Sequence, residues 1–247
     1  MILAFPILPW LLAVAAAGGG YWVTRKIHRT FSESFKRKRL AILGERGVGK
    51  STLFTYLSTK AVPKEYEQNT GTKKVEGEEE FEIGDINFKM KKSSDVSGDE
   101  QAMLEWKKSV ERSDLVFYLF RADRFKKGIS STVKRVKKDI SHIASWMKAK
   151  DNPKSRRLYL IGTHCDKDKE YRSTSKSSIG TYYDNYKSLD HFKSIKSVSN
   201  FGEGSVLLLG SMKDEKSIQK FVYTILERTL DHGTRQKNCR SSHYLTE

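Results

Sequence analysis

Cysteine is scarce in this chain of 247 residues, and its scarcity excludes two kinds of architecture. Cys165 and Cys239 are too few for a disulfide framework, and their separation does not fit the ligand spacing of a metal site. A disordered composition is also absent, because 37% of the residues are hydrophobic and 31% are charged, as in globular proteins. The length allows one domain of about 200 residues with appendages.

Charged side chains are absent from residues 1–24. Residues 25–39 then hold seven Lys or Arg and one acid, Glu33, so this segment contributes +6 of the formal net charge of +16. A strongly basic protein often binds nucleic acid, but here part of the basic excess follows directly on an uncharged segment. We therefore expect no specific binding of nucleic acid.

Residues 1–23 predict a transmembrane anchor. As a helix they would be about 34 Å long, which is enough to span a bilayer. A cleaved signal peptide is the alternative, with the small residues 15–18 at its cleavage site. Such a peptide begins with basic side chains, however, and this one has only its α-amino group. The retained anchor is therefore the favoured interpretation.

The basic residues after the anchor predict its orientation. Positive charge beside a membrane-spanning segment favours the cytoplasmic side, and a basic stalk over residues 24–37 would also bind anionic lipid. We expect a single-pass, integral membrane protein in which residues 38–232 form one cytoplasm-facing domain. Residues 233–247 are expected to be a polar tail.

The stretch GERGVGKS, residues 44–51, fits the pattern G-x-x-x-x-G-K-[ST] between an apolar strand and a helical segment. In this pattern the glycines let main-chain N–H groups curl around phosphate oxygens, and the N-terminus of the following helix faces the same anion. Lys50 would reach the β- and γ-phosphates, and Ser51 would bind Mg²⁺. The predicted phosphate-binding residues are Gly44, Glu45, Arg46, Gly47, Val48, Gly49, Lys50, Ser51 and Thr52.

Strands and helices alternate through the rest of the chain. The apolar runs at residues 115–120, 158–161 and 206–209 are typical of strands that are buried on both faces of a parallel sheet. Residues 81–90 predict a β-hairpin, and residues 133–147 have the spacing of an amphipathic helix. The predicted fold is α/β: a doubly wound, mostly parallel sheet of about six strands, with helices on both faces and ligand loops at the carboxyl ends of the strands.

A D-x-x-G motif follows the hairpin. Asp95-Val-Ser-Gly98 reads D-x-x-G and begins 45 residues after Lys50. An acid at this position would hold Mg²⁺, and the N–H of Gly98 would contact the γ-phosphate. A simple turn would have the same sequence. The phosphate loop by itself also leaves ATPases, kinases and GTPases open.

Over residues 38–232 the sequence resembles the Ras-like (translation-factor-related) GTPase superfamily. Residues 44–51 match the phosphate loop of the family and residues 95–98 the second switch, while THCD at 163–166 and SMK at 211–213 resemble the guanine motifs [N/T]-K-x-D and S-A-K. The resemblance implies binding of GTP or GDP with Mg²⁺. It also implies base-binding roles for six residues: Thr163, His164, Asp166, Ser211, Met212 and Lys213.

The resemblance assigns the choice of purine to Asp166, whose carboxylate would accept hydrogen bonds from N1 and N2 of guanine. Met212 would donate its backbone N–H to O6. Adenine lacks the two donors, so a buried carboxylate would be left unpaired and ATP would be disfavoured. The layout of anchor, basic stalk and small domain also resembles the β-subunit family of the signal-recognition-particle receptor.

Two positions depart from the family pattern in ways that affect activity. His164 replaces a lysine, and an imidazole has no permanent charge at pH 7, so guanine preference depends mainly on Asp166. Asp99 follows Gly98 where the family often carries the glutamine that orients the attacking water, and Gln101 is the remaining catalytic candidate. We expect slow intrinsic hydrolysis, at or below ~10⁻⁴ s⁻¹.

Two further assignments keep alternatives. Arg46 either contributes charge to catalysis beside Lys50 or points to solvent, and we favour solvent. The threonine of the first switch is Thr70 or Thr72, which stand 20 and 22 residues after Lys50, and the spacing favours Thr70. Its hydroxyl would join Ser51 and Asp95 as a ligand of Mg²⁺ in the triphosphate state only.

These features predict a membrane-anchored small GTPase that switches slowly between its GTP and GDP forms and acts on an unidentified protein effector or activating factor. The first alternative is a GTP-binding recruitment scaffold with negligible turnover, which Asp99 favours. The second is a P-loop ATPase or small-molecule kinase. Residues 171–200 are rich in Ser, Lys and Tyr and are longer than a tight connection, so we interpret them as a partner-binding loop.

Overall fold

The computed structural model describes residues 40–59, 78–83, 86–91, 100–148, 157–175, 178–199, 205–225 and 228–229. In chain order, the elements are β1 (Leu40–Gly44), α1 (Lys50–Thr59), β2 (Glu78–Ile83), β3 (Ile86–Lys91), α2 (Glu100–Arg112), β4 (Leu115–Arg121), α3 (Ala122–Lys126), α4 (Ser130–Lys148), β5 (Arg157–Thr163), a 3₁₀ turn (Cys165–Lys167), α5 (Lys169–Ser173), α6 (Ile179–Ser188), α7 (Asp190–Ser199), β6 (Ser205–Leu209) and α8 (215–225).

The main sheet has four parallel strands in the order β1-β4-β5-β6. Its strands are the apolar runs of the sequence, and β1 and most of β4 and β5 are buried. Such strands have no solvent-facing side, so they require helices on both faces of the sheet. The predicted α/β class with a parallel sheet is confirmed.

The predicted hairpin is also present. β2 and β3 pair antiparallel, with Ile83 opposite Ile86, so two residues connect the strands. β3 lies next to β1. The hairpin therefore lies beside the β1 edge of the parallel sheet, and β6 is at the other edge of the main sheet.

The core consists of two apolar layers, one on each face of the sheet. Along β4 the side chains alternate: Phe117 and Leu119 belong to one layer, and Val116, Tyr118 and Phe120 belong to the other. Helices α1 and α8 cover the first layer, whereas α2, α4, α6 and α7 cover the second. The period-2 pattern of a strand thus holds helices on opposite faces of one sheet.

The prediction that residues 171–200 form a loop is wrong, whereas the binding of a partner by this segment stays a prediction. Most of that segment is helical, in α5, α6 and α7. Tyr182 and Tyr186 are 2% and 0% exposed and belong to the second apolar layer. Their spacing of four residues is one helical turn, so both lie on the buried side of α6.

The predicted anchor (1–23), stalk (24–37) and tail (233–247) lie outside the described residues. Within the ranges that the structure describes, no helix has both the length and the apolar character needed to cross a membrane. The domain prediction of 38–232 contains every described residue and stays a prediction at its boundaries.

Gly210, directly after β6, provides a test of the packing between the sheet and α8. A Cβ at this position would lie 2.2 Å from Cδ2 of the buried Phe221 ring. Gly210→Ala is therefore expected to lower the free energy of unfolding by roughly 1–3 kcal/mol, because a core ring must move. Urea denaturation followed by circular dichroism measures the change.

Gly180→Ala is the matched control. Gly180 lies in the first turn of α6, and a Cβ there would have no neighbour within 4 Å. This substitution should leave stability unchanged or raise it by up to about 1 kcal/mol, because alanine favours helix. Equal unfolding midpoints for Gly210→Ala and the parent protein would contradict the described packing.

Candidate functional site

The candidate site lies at the carboxyl edge of the parallel sheet. Because β1, β4, β5 and β6 run in the same direction, the segments that follow them meet along one edge. These segments contain the predicted phosphate-binding residues after β1 and the predicted base-binding residues after β5 and β6. A fourth segment, after β4, contributes a pair of charged residues described below.

The loop between β1 and α1 depends on three glycines with positive φ. The φ angles are 142° at Gly44, 75° at Gly47 and 94° at Gly49, in a region that favours glycine. At Gly44 a Cβ would also lie 2.3 Å from the carbonyl oxygen of Leu119 on β4. The glycine pattern therefore has a steric cause, and the backbone of this loop can approach a ligand closely.

Lys50 lies within the curl of this loop. Its Nζ donates to the carbonyl oxygens of Gly44 and Glu45, each at 2.9 Å. Helix α1 begins at Lys50 and has no acidic side chain in its first turn, so the positive end of its dipole faces the same place without a competing carboxylate. An ammonium group and a helix N-terminus together favour an anion such as phosphate.

The other predicted members of the loop have different exposures. Glu45 and Arg46 are exposed, and Val48 is buried in the first apolar layer. Ser51, in the first turn of α1, is exposed, while Thr52 is half-buried. Val48 therefore anchors the loop to the core, while its polar neighbours face the surface.

Thr163 connects the end of β5 to the phosphate loop. Its Oγ1 is 2.9 Å from the carbonyl oxygen of Val48 and 3.1 Å from that of Phe120. Thr163 is completely buried, and Val48 precedes it by 115 residues. A buried hydrogen bond between such distant segments holds the predicted base-binding and phosphate-binding residues together.

His164 follows directly and has a left-handed backbone, with φ of 60°. Its Nδ1 is 2.9 Å from Oγ1 of Thr163. Because the single hydroxyl hydrogen of Thr163 faces two carbonyl acceptors, we assign a hydrogen to Nδ1, which then donates to Oγ1. Nε2 is the remaining acceptor of a neutral ring.

Burial lowers the pKa of His164, and the nearby guanidinium of Arg121 lowers it further. A histidine pKa below its ordinary value leaves the imidazole neutral at pH 7. This agrees with the expectation that His164 contributes no permanent charge to the site.

Asp166 and Ser211 join the segments that follow β5 and β6. The Ser211 hydroxyl donates to Oδ1 of Asp166 at 2.6 Å and accepts from the N–H of Lys213 at 3.3 Å. The described residues place no donor on Oδ2 of Asp166. Oδ1 has a second lone pair, so this half-buried carboxylate can still accept two hydrogen bonds from a ligand.

The backbone also connects these two segments. The N–H of Gly210 donates to the carbonyl of Gly162 at 2.9 Å, and the N–H of Cys165 donates to the carbonyl of Gly210 at 3.1 Å. Burial raises the pKa of the Cys165 thiol, so this residue has a packing role. The THCD and SMK stretches therefore form one unit in the fold.

Met212 packs onto the phosphate loop. A Cβ at Gly49 would lie 2.4 Å from Cε of Met212, so the methionine side chain covers the face of that glycine. The predicted contribution of Met212 was its backbone N–H. Its side chain adds a direct contact between the loop after β6 and the phosphate loop.

Sequence reasoning missed Arg121 and Asp123, which follow the apolar run of β4. The Arg121 guanidinium forms two hydrogen bonds with the Asp123 carboxylate, of 2.8 Å and 2.7 Å. Burial opposes the charged form of Asp123, but these bonds keep its pKa below the ordinary value. The available signal was a charged residue directly after six apolar ones at the end of a strand.

Arg121 lies between the two halves of the site. It is opposite Thr163 in the pairing of β4 with β5. Its hydrogen bond with Asp123 raises its pKa, and the carboxylates of Asp166 and Glu45 raise it further. A permanent positive charge therefore lies next to His164. It comes from Arg121 and not from position 164, where the family pattern has a lysine.

Several predicted site residues lie outside the described residues: Thr70, its alternative Thr72, Asp95 and Gly98. Gln101 lies in the first turn of α2, and nothing is described of its side chain. Among the described residues no group of three or more His, Cys, Asp or Glu side chains could hold a metal ion. Of the predicted Mg²⁺ ligands, Ser51 is therefore the one among the described residues, and it is exposed.

No family model and no curated protein matches the chain. One similar solved structure is the ADP-ribosylation-factor-like GTP-binding protein (small COPII coat GTPase SAR1) from Encephalitozoon cuniculi in complex with GDP, with a TM-score of 0.48, 13% identity, and coverage of 96% of this chain and 98% of that one. Another is translation elongation factor SelB from Methanococcus maripaludis with the GTP analogue GppNHp, with a TM-score of 0.44, 15% identity, and coverage of 81% of this chain. The match spans 34% of the SelB chain.

Thr163→Val tests the link between the two halves of the site. Valine keeps the shape of threonine but leaves the buried carbonyl of Val48 without its donor. The free energy of unfolding should fall by about 1–3 kcal/mol, as measured by urea denaturation. Thr163→Ser keeps the hydroxyl and should lose clearly less, so equal losses in the two variants would show that the bond has no role.

Proposed function

We propose that the chain binds a guanine nucleotide across the carboxyl edge of its parallel sheet. In this proposal the phosphates lie in the loop of residues 44–52, and the guanine lies between Asp166 and residues 211–213. The observation that carries the proposal is the Thr163–Val48 hydrogen bond. It joins a loop suited to phosphate to the end of β5, and Asp166, whose carboxylate is suited to guanine, follows three residues later. Neither group alone would define the ligand.

The phosphate half is supported by positive charge and open backbone. The Lys50 ammonium lies inside the glycine-lined curl, where it would move from loop carbonyls to phosphate oxygens when a nucleotide binds. In hydrolysis it would stabilise the charge that develops on the transferred phosphoryl group. Mg²⁺, when bound, would neutralise phosphate charge. Ser51, Asp95 and Thr70 or Thr72 are its proposed protein ligands.

The guanine half is supported by the state of Asp166. Its Ser211 partner orients the carboxylate, while Oδ2 and a second lone pair on Oδ1 remain to accept N1–H and N2–H of guanine. Adenine would leave this half-buried carboxylate without those donors. The neutral His164 ring and Met212 are proposed to border the base.

We extend the proposal to the setting of the protein. The uncharged residues 1–23 and the basic stalk that follows support a single membrane anchor with the nucleotide site on the cytoplasmic side. A slow switch that recruits a partner protein to that membrane is the function that these features favour. Asp99, in place of the expected glutamine, supports slow turnover.

Exchange of Asp166 for asparagine tests the choice of base. Asp166→Asn replaces one acceptor oxygen with an amide donor, which suits xanthine because its C2 carries a carbonyl in place of an amino group. The variant should lose at least tenfold in affinity for GDP, or roughly 1.4 kcal/mol, and should gain affinity for xanthosine diphosphate. Competition against a fluorescent nucleotide measures both, and ATP is included as a competitor.

Lys50→Ala is the companion variant for the phosphate half. It should weaken GDP and xanthosine diphosphate equally, because the ammonium contacts phosphate and not base. ATP competing as well as GTP in the parent protein would favour an ATPase or kinase and contradict the role of Asp166. Retention of full GTP affinity in Lys50→Ala would refute the site.

Single-turnover phosphate release tests the rate of hydrolysis. We expect a rate at or below ~10⁻⁴ s⁻¹ for the purified chain with Mg²⁺, because the residue that would orient water is replaced. A single-turnover rate constant of many per minute without a partner would contradict the proposed slow switch. Tight GTP binding with no release, even after addition of cell extract, would instead identify a recruitment scaffold.

A further inference from the structure

Helix α6 lies in the connection between β5 and β6 and carries three tyrosines, Tyr182, Tyr183 and Tyr186. Each of their hydroxyl groups makes a hydrogen bond to a different segment at the carboxyl edge of the sheet. These segments are, in that order, the segment after β5, the end of β6 and the segment after β4. One helix thus contacts three of the four chain segments that meet at the candidate site.

Tyr183 contacts the end of β6. Its hydroxyl accepts from the N–H of Leu209 at 2.7 Å and donates to the carbonyl of the same residue at 3.1 Å. In the described sheet β6 is an edge strand, and the N–H of the next residue, Gly210, points towards β5. The polar groups of Leu209 therefore point outwards, and the single tyrosine hydroxyl satisfies both of them.

This contact fixes the start of the predicted base-binding loop. Leu209 directly precedes Gly210, whose N–H and C=O bond to Gly162 and Cys165. Ser211 follows and holds Asp166. Any movement at Leu209 would therefore be transmitted within two residues to the carboxylate that is proposed to select guanine.

Tyr182 contacts the segment after β5. Its hydroxyl donates to Oδ2 of Asp168 at 2.8 Å. Asp168 caps α5 through the N–H of Glu170 and donates its own N–H to the carbonyl of Cys165, which closes the turn that contains Asp166. Tyr182 therefore stabilises the turn that contains Asp166 through its hydrogen bond to Asp168.

Tyr186 contacts the segment after β4. Its buried hydroxyl donates to the carbonyl of Ala122 at 3.2 Å. Ala122 lies between Arg121 and Asp123, the charged pair beside His164. Burial holds the pKa of Tyr186 well above its ordinary value, so the hydroxyl keeps the hydrogen that it donates.

We propose that the three tyrosine hydroxyls of α6 position the base-binding end of the site, with Tyr183 as the most direct of the three. They are positioning residues in this proposal, since their hydroxyl groups bond to Asp168 and to the backbone of Leu209 and Ala122. The effect on ligand affinity rests on the proposed guanine-nucleotide function. The effect on loop order can be measured without any nucleotide.

Tyr183→Phe removes only the hydroxyl and leaves the ring. Without nucleotide, amide hydrogen exchange within residues 205–213 and at Cys165 should become at least several-fold faster, because Leu209 loses both of its edge partners. The affinity for GDP should fall by roughly three- to tenfold. The ratio of the GDP affinity to that for inorganic triphosphate should fall as well, since the hydroxyl groups of Tyr182, Tyr183 and Tyr186 bond to segments other than the phosphate loop.

Two matched variants separate positioning from general loss of stability. Tyr171→Phe removes a hydroxyl that makes no hydrogen bond among the described residues. The ring of Tyr171 packs on that of Tyr182, with 5.2 Å between the ring centroids, and the substitution keeps this ring. It should behave as the parent protein does. Tyr118→Phe removes a buried hydroxyl that bonds to Asp139 of α4 at 2.9 Å. It should lower stability but leave exchange at 205–213 and the GDP-to-triphosphate ratio unchanged.

The outcomes distinguish this inference from the function on which it rests. If the parent protein does not bind GDP but Tyr183→Phe still accelerates exchange at residues 205–213, the nucleotide function fails and the positioning role stands. If the parent binds GDP and Tyr183→Phe matches it in exchange and affinity, the positioning role is refuted. Equal acceleration in Tyr118→Phe would also refute it, because the effect would then be global.

Discussion

The hydrogen bond from the Thr163 hydroxyl to the Val48 carbonyl is the contact on which the arrangement of the site depends. It lies at the junction of β1, β4 and β5, where Thr163 also approaches the carbonyl of Phe120. Parallel pairing brings the strand ends together, and further side-chain and backbone hydrogen bonds define the spacing of the loops beyond them. The buried Thr163 hydroxyl thus connects the loop after β1 to the end of β5.

The two halves of the site also differ in the charges that they carry. The phosphate loop has the Lys50 ammonium and an unopposed helix N-terminus. The base half has one partly available carboxylate, Asp166, beside a neutral imidazole and the Arg121–Asp123 pair. Because Asp123 compensates the guanidinium, Arg121 adds a permanent but moderated positive charge between the halves. Anionic phosphates and a donor-rich base edge are the ligand groups that this distribution favours.

The tyrosines of α6 connect the segment between β5 and β6 to the carboxyl edge of the sheet, although the composition of this segment did not indicate such contacts. A surface rich in serine and lysine suggests a loop, whereas the buried side of the helix meets the ends of three strands. Tyrosine suits this place since its ring fills the apolar layer while its hydroxyl reaches backbone polar groups at the border of the core. The helix therefore serves the sheet and the loops at the same time.

By itself the sequence determined the phosphate loop, the strands, the helix that begins at Lys50 and the helix over residues 133–147, but it did not predict α2, α3, α5, α6 or α7. Glycine is required where φ is positive and where Leu119 leaves no room for a Cβ, and buried parallel strands require apolar runs, so both leave local patterns. Only the tertiary structure decided the contacts of Thr163 with Val48, of Arg121 with Thr163 on the neighbouring strand, and of Tyr183 with Leu209. These contacts join residues that are far apart in the chain or on different elements, and such pairings depend on strand order and helix placement, which no local pattern records.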